Sequence, residues 1–266
     1  MNSNIAAPFF SVITVNYNDS AGLSETIKSL RSQSLTDFEH VIIDGLSTDG
    51  SIEVIEAYSQ SVPNVVSVIE KDHVIYDAMN KGISHSKGKV IVFMNAGDLF
   101  SDDDVLSFVY ADHQSMGWDW GYGCMRYMTE EGEVFGAAVQ APFNRKKFHL
   151  GLAFAPHQAT YLTRTLLAEL GGFDTDFDVA CDQELAMRAA AVSEPRTWVR
   201  FLCDFRVGGV HTDISFYQRE DIWHRMRVKN GLVVSGSITL DKLLALAIAT
   251  VRTGRQSVSS RIRKNS

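Results

Sequence analysis

The sequence predicts an α/β fold built on a doubly wound, mostly parallel sheet. Two observations carry that prediction. Short β-branched runs alternate with segments of helical period through the first hundred residues, and each of those runs stops at a polar cluster. A third supports it: the chain has 266 residues, 45% hydrophobic and 21% charged, which is ordinary globular composition with room for a sizeable core.

Phe9 to Val15 is a β-branched run that ends in Asn16-Tyr17-Asn18. Asp19 or Ser20 can cap the helix that follows, in which Leu23, Ile27 and Leu30 recur at helical spacing. His40 to Ile43 reads as a second buried strand, stopping at Asp44-Gly45, before a helix from about Asp49 with Ile52, Ile55 and Tyr58 on one side. Val65 to Ile69 is a third strand. Ile75, Met79 and Ile83 mark a helix closed by Gly88, and Val90 to Met94 is a fourth strand ending at Asn95-Ala96-Gly97-Asp98. Crossovers between parallel strands are right-handed, and ligands of such sheets bind beyond the strands' carboxyl ends. The polar residues Asn16 to Asn18, Asp44, Glu70 to Asp72, and Asn95 to Asp98 are therefore predicted to line one edge.

The second half is less regular. Gly117 to Tyr127, Glu133 to Ala137 and Thr197 to Val207 read as strands. Ala141 to Gly151 reads as a loop with a basic cluster, and Asp182 to Ala191, Ser215 to Asn230 and Thr239 to Val251 read as helices. Trp118 and Trp120 suit core packing. Residues past about Gly254 look disordered. The expected organisation is one domain over 1–238, in two halves dividing at about 112, then a C-terminal amphipathic helix and basic tail over 239–266.

Charge and cysteine usage narrow the function classes. Residues 1–199 carry 13 Lys+Arg against 27 Asp+Glu, and residues 200–266 carry 12 against 5. The acidic front disfavours nucleic acid as a partner. The basic end suits either an anionic lipid surface or a solvated tail. Three widely spaced cysteines form no disulfide framework or zinc-ribbon pattern and fit a reducing compartment. The N-terminus reads as lacking a signal peptide. The apolar run Leu243 to Val251, nine residues long, is too short to span a bilayer. No Gly-x-Gly-x-x-Gly follows the first strand, and no P-loop or Gly-x-Ser-x-Gly elbow occurs, which disfavours dinucleotide, NTPase and serine-hydrolase chemistry.

What remains is carboxylates at strand ends. Ser11 to Asn18, and Val41-Ile42-Ile43-Asp44-Gly45-Leu46-Ser47-Thr48-Asp49-Gly50, resemble the start of the family 2 inverting glycosyltransferases of GT-A fold, a Rossmann-like sheet. Ile75 to Ile83 and Phe93 to Asp98 resemble the branch that builds bacterial surface polysaccharides such as colanic acid. Gly171-Gly172-Phe173-Asp174 and Cys181 to Leu185 with Arg188 match the acceptor-side pattern.

The resemblance implies a nucleotide-sugar donor bound by Val15, Asn16, Tyr17, Asn18, Asp44, Asp72, Tyr76, Asn80, Lys81, Asn95 and Ala96. Tyr17 would stack on the base, and Asp44 would accept from it. Asp98 keeps the last carboxylate of the Asp-x-Asp usual in the family. It would hold Mn2+ or Mg2+ against the diphosphate, with His211 as a second ligand. Asp182 would be the general base of an inverting transfer. His157 and Gln158 would line the acceptor side, and Glu184 would orient an acceptor. Blander readings stand beside these. Asp77 and Lys81, and Glu184 and Arg188, have i,i+4 spacing for ion pairs; Asp98 is also placed to cap the next segment; a lone histidine such as His211 is most often structural.

The expected activity is transfer from a UDP-sugar to a lipid-linked oligosaccharide by a cytoplasmic enzyme, peripheral on the inner face of the plasma membrane. Two rivals are a sugar nucleotidyltransferase and a non-catalytic sugar-binding scaffold. The first calls for a glycine-rich basic loop that Asn16 to Ser20 does not provide.

Overall fold

The computed structural model describes residues 7–177, 179–208 and 214–264, with side chains described as far as residue 254. The elements in chain order are β1 (Phe10–Asn16), α1 (Ser20–Arg31), β2 (Phe38–Asp44), α2 (Ser51–Ser61), β3 (Val65–Ile69), α3 (Ile75–His85), β4 (Val90–Phe93), β5 (Leu99–Phe100), α4 (Val105–Met116), β6 (Trp120–Met128), β7 (Val134–Ala138), α5 (Arg145–His149), β8 (Thr160–Thr163), α6 (Arg164–Leu170), α7 (Cys181–Val192), β9 (Arg196–Arg206), α8 (Phe216–Lys229) and α9 (Ile238–Lys264). Single 3-10 turns lie at His157–Ala159 and Thr175–Phe177. They divide into two compact units. The first holds 7–142 and 155–208, and the second holds 143–154 and 214–264. The division does not coincide with the boundary near 238 drawn from sequence.

The first unit is a mixed sheet in the order β3-β2-β1-β4-β8-β6-β9-β5, with β7 paired to β6. β1 pairs in parallel with β2 and β4, and β2 with β3, as the alternation predicts. β8 enters antiparallel beside β4, so the sheet is parallel on the side of the first four strands and mixed beyond them. The β-branched sequence of β1 suits its central place, where both faces are covered. Leu23, Ile27, Ile42, Ile55 and Tyr58 fill one layer against α1 and α2. Phe10, Val92, Met94, Leu106, Tyr161 and Leu202 belong to the core layer that also holds residues of α4. Trp118 and Trp120 are both core residues. Asp19 caps α1, its Oδ1 accepting from Gly22 N at 2.9 Å. Of the apolar set expected to face inward from α3, Met79 is buried, but Ile75 is exposed at the helix start and Tyr76 takes the inward position.

A polar knot sits inside this core. Thr14 Oγ1 donates to Met94 O at 2.7 Å, so its lone pair is left to accept from His40 Nε2 at 2.8 Å, while His40 Nδ1 faces Tyr58 OH at 3.4 Å. The ring is neutral: burial lowers its pKa to about 3.

The second unit is helical. Arg227 and Asp241 are both fully buried and paired at 2.7 Å, His224 Nδ1 lies 2.8 Å from Asp241, and Arg227 Nη1 donates to His149 O. α9 packs through Asp241, Ala245 and Ala249. Two sequence expectations change here. The basic segment 141–151 contains a helical turn, because Asn144 Oδ1 accepts from Lys147 N and caps it. Helix α9 also runs on to Lys264 instead of fraying after Gly254, because no proline interrupts it and most of its residues are compatible with a helix. Among the described residues no helix is long and apolar enough to cross a membrane.

Candidate active site

The chain runs β1, β2, β3 outward on one side and returns as β4 on the other side of β1. The loops after β1 and β4 therefore flank the switch point where sheets of this kind bind ligands. Asn16 and Asp44 are register partners at the ends of β1 and β2. Asp44 Oδ2 accepts from Asn16 Nδ2 at 2.6 Å and from Ser47 Oγ at 2.8 Å, and its Oδ1 accepts from Ser47 N at 2.8 Å. Ser47 Oγ in turn accepts from Asn18 N, and Asn18 Oδ1 accepts from Thr48 N, both at 2.8 Å. The carboxylate expected to meet a base is thus fully buried, and it braces the loop that presents Tyr17.

Tyr17 is 69% exposed. Its ring edges over Gly45, where a Cβ would come within 3.1 Å of the ring and 3.6 Å of Asp72 Oδ2. A residue without a side chain is what lets ring and carboxylate share this shelf.

Beyond β4, Ala96 N donates to Val15 O at 3.1 Å. Gly97 takes φ +90, a left-handed conformation that favours glycine, and the turn brings Asp98 N onto Asn95 O at 3.0 Å. The Asp98 side chain is directed inward: Oδ2 accepts from Gln158 Nε2 at 3.1 Å and Oδ1 from Arg206 N at 3.2 Å. It caps no helix. Burial pushes its carboxyl up to about 6, against the pull of His157, Gln158 and Arg206. Both of these hydrogen bonds come from neutral amides, and the Arg206 guanidinium, which pairs with Glu25, adds only a longer-range pull. Among the described residues no three His, Cys, Asp or Glu side chains gather into a metal cage. A hard cation that takes one protein carboxylate and finds its other oxygens on a diphosphate and water fits this donor set; a metal held by protein alone does not. His211 lies outside the described residues.

The third cluster surrounds Asp182, in the first turn of α7. Tyr76 OH donates to its Oδ1 at 3.1 Å, Gln183 Nε2 to its Oδ2 at 2.9 Å, and His157 Nδ1 lies 3.5 Å from Oδ2. Burial works against the charged form, but the contacts with His157 and Gln183 outweigh it and hold the carboxyl below its ordinary value. Asn95 Nδ2 lies 3.3 Å from His157 Nε2. Asn16 Oδ1 and Asn95 Oδ1 are buried acceptors that meet no partner among the described residues, both at the ends of strands that face this edge. Such atoms are costly unless a ligand or water meets them.

A pair of strand-end loops, a buried carboxylate at the sheet edge and an ionised carboxylate opposite it is an arrangement suited to sugar transfer, and comparison decides the family. The sequence profile of Glycosyl transferase family 2 matches residues 11–115. An uncharacterized glycosyltransferase of Mycobacterium tuberculosis is 38% identical over 215 residues, covering 77% of this chain and 78% of its own. The chain belongs to glycosyltransferase family 2. A glycosyltransferase of PGL/p-HBAD biosynthesis from Mycobacterium bovis is 28% identical, over 74% of the transferase and 75% of its relative. The fold is GT-A. S. aureus TarS 1-349, solved with UDP-GlcNAc, superposes with TM-score 0.66 at 18% identity over 83% of the transferase, which spans just under two thirds (66%) of that chain. The mannosyltransferase PcManGT of Pyrobaculum calidifontis, solved with GDP-Man and Mn2+, gives 0.62 at 17% identity over 96% and 81%.

Three of the transferase's expected site residues have other work. Lys81 Nζ is held by Asp72 at 2.7 Å, Glu70 at 2.9 Å and Asp77 at 3.7 Å, so it is already neutralised where a diphosphate contact was expected. Asn80 spends both ends of its amide on Phe173, accepting from its N and donating to its O at 2.9 Å each. It ties α3 to the Gly171-Gly172 loop. Glu184 is fully buried in a two-pronged pair with Arg188, at 2.8 and 2.7 Å, the blander of its two sequence readings. Sequence reasoning missed Gln183, which bonds both Ala155 N and Ala155 O as well as Asp182. It also missed Ser47 and the backbone of Arg206. Only Gln183 left a signal, its place beside Asp182; a backbone donor leaves none.

Proposed function

We propose that the transferase moves a sugar from a nucleotide-sugar, a UDP-sugar, to an acceptor hydroxyl with inversion at the anomeric carbon. The observation that carries this reading is the pair of carboxylates, Asp98 and Asp182, reached by the successive side chains Gln158 and His157. Tyr17 takes the base on its exposed face, and Asn16 Oδ1 and Asp72 offer acceptors to base or ribose. Asp98 would hold Mn2+ or Mg2+, whose charge would neutralise the departing diphosphate. Asp182, ionised across the neutral range, takes the proton of the acceptor hydroxyl as its oxygen bonds to carbon. The electron pair of the breaking carbon–oxygen bond leaves on the diphosphate.

The acceptor in this reading is a lipid-linked saccharide of bacterial polysaccharide assembly, met at a membrane face. Helix α9 supports it: Leu240, Leu243, Leu246 and Val251 are each about half exposed on the side opposite Asp241, Ala245 and Ala249. Its one acid, Asp241, is buried against Arg227, and its other charges are the six bases Lys242, Arg252, Arg255, Arg261, Arg263 and Lys264. An apolar stripe on a basic helix suits an anionic interface.

Thermal shift against UDP, GDP, CDP and dTDP, each with and without manganese, tests the donor assignment. A manganese-dependent rise with UDP is expected, because a ligand of the native state raises Tm by mass action. No rise with any of the four would overturn the reading.

A further inference from the structure

The turn over Ala155 to Ala159 is fixed from both ends: Gln183 clamps the backbone of Ala155, and Thr160 Oγ1 donates to Pro156 O at 2.7 Å. Between those ties the turn sends Gln158 to the Asp98 loop and His157 to both Asn95 and Asp182. We infer that His157 is a positioning residue that carries its proton on Nδ1 and presents it to Asp182 Oδ2, leaving Oδ1 as the atom that takes the acceptor's proton. The inference rests on Asp182 being the base.

The placement of the proton follows from the neighbours. The Asn95 amide nitrogen faces His157 Nε2 at 3.3 Å and can only donate, so Nε2 accepts and Nδ1 bears the hydrogen. At 3.5 Å the Nδ1–Oδ2 contact is long, as catalytic contacts often are before substrate binds.

The choice of oxygen follows from the side chains around each. A carboxylate oxygen accepts twice. Of the side chains that meet the carboxylate, Gln183 and His157 crowd Oδ2 and Tyr76 OH reaches Oδ1, while the Gln183 backbone N–H also bonds the group. An acceptor hydroxyl therefore gives its proton to Oδ1, the oxygen less crowded by side chains. The other titratable groups here stay neutral. Burial raises the Tyr76 phenol far above its usual value and pushes the Cys181 thiol up to about 12. Through Asn95, His157 couples the orientation of the base to the loop that holds Asp98.

Two readouts on the full chain test this. Nitrogen-15 NMR of the imidazole reports the protonated nitrogen without turnover, and a proton on Nδ1 is expected; a neutral ring with bare Nδ1 overturns the inference even if no sugar donor has been found. Kinetics give the second. His157→Ala is expected to lower kcat by about tenfold or more, leave the donor KM within about twofold, and move the acid limb of the kcat profile upward. His157→Asn, whose amide nitrogen takes the place of Nδ1, should recover most of the rate. An alanine variant with unchanged kcat and acid limb, or an asparagine variant as slow as alanine, contradicts the assignment. Loss of the manganese-dependent UDP shift in the wild type would instead strike at the donor reading.

Discussion

Lys81 shows how one residue's surroundings reassign it. A lysine on the helix that follows a strand end invites a phosphate, yet Glu70, Asp72 and Asp77 surround this one and raise its pKa, chiefly through the hydrogen bonds to Asp72 and Glu70. Its work is to hold Asp72 beside Tyr17. Lys81→Met is therefore expected to cost about 1 kcal/mol of stability, the scale of a half-exposed ion-pair network, while the UDP shift survives. Urea unfolding and thermal shift on the same variant check both halves. A variant of normal stability that has lost the shift would restore the phosphate role.

At the scale of elements, α9 carries a packed inner face and, in the proposed reading, a membrane-facing outer one. Its inward face carries Asp241, without which Arg227 would be buried and unpaired. Removing the helix is a poor probe of its outer face, because breaking such a pair costs about 3–5 kcal/mol. Serine at Leu240, Leu243 and Leu246 leaves the inner face alone. The triple variant is expected to keep its Tm and to sediment at least fivefold less with anionic vesicles, about 1 kcal/mol of binding. Equal sedimentation would remove the membrane from the account.

At the scale of the whole molecule, the buried His40 makes stability depend on pH. Its pKa falls from 6.5 in the unfolded chain to about 3 in the fold, so between those values the unfolded state binds the extra proton. Stability is complete above about pH 6.5 and declines as pH falls toward about 3, by up to about 1.4 kcal/mol per unit. His40→Gln keeps a donor for Thr14 and removes the titration. Its unfolding free energy should be lower at neutral pH and flatter between pH 4 and 6. A slope equal to the wild type's would assign the acid sensitivity elsewhere.

The parallel half of the molecule was legible because its signals are local: β-branched runs, helical spacing and polar strand ends all lie within a few residues. The mixed half was not. β8 is four residues long and becomes a strand only by lying between β4 and β6, a pairing no local pattern announces. The site divides the same way. Tyr17, Asp98, His157 and Asp182 were singled out through the family resemblance and their places beside strand or helix ends, and the structure sets Asp98, His157 and Asp182 within one chain of contacts. The bracing roles of Asp44 and Asn80 depend on partners up to 93 residues away and on burial, which motifs do not encode, whereas the Glu184–Arg188 pair was legible from its i,i+4 spacing.

The central claim is that Asp182 is the base and Asp98 serves the donor. The most direct test is Asp182→Asn, assayed for UDP binding with manganese and for sugar transfer. The account predicts a donor shift equal to the wild type's and transfer reduced by about a hundredfold or more. Transfer at near wild-type rate would contradict it.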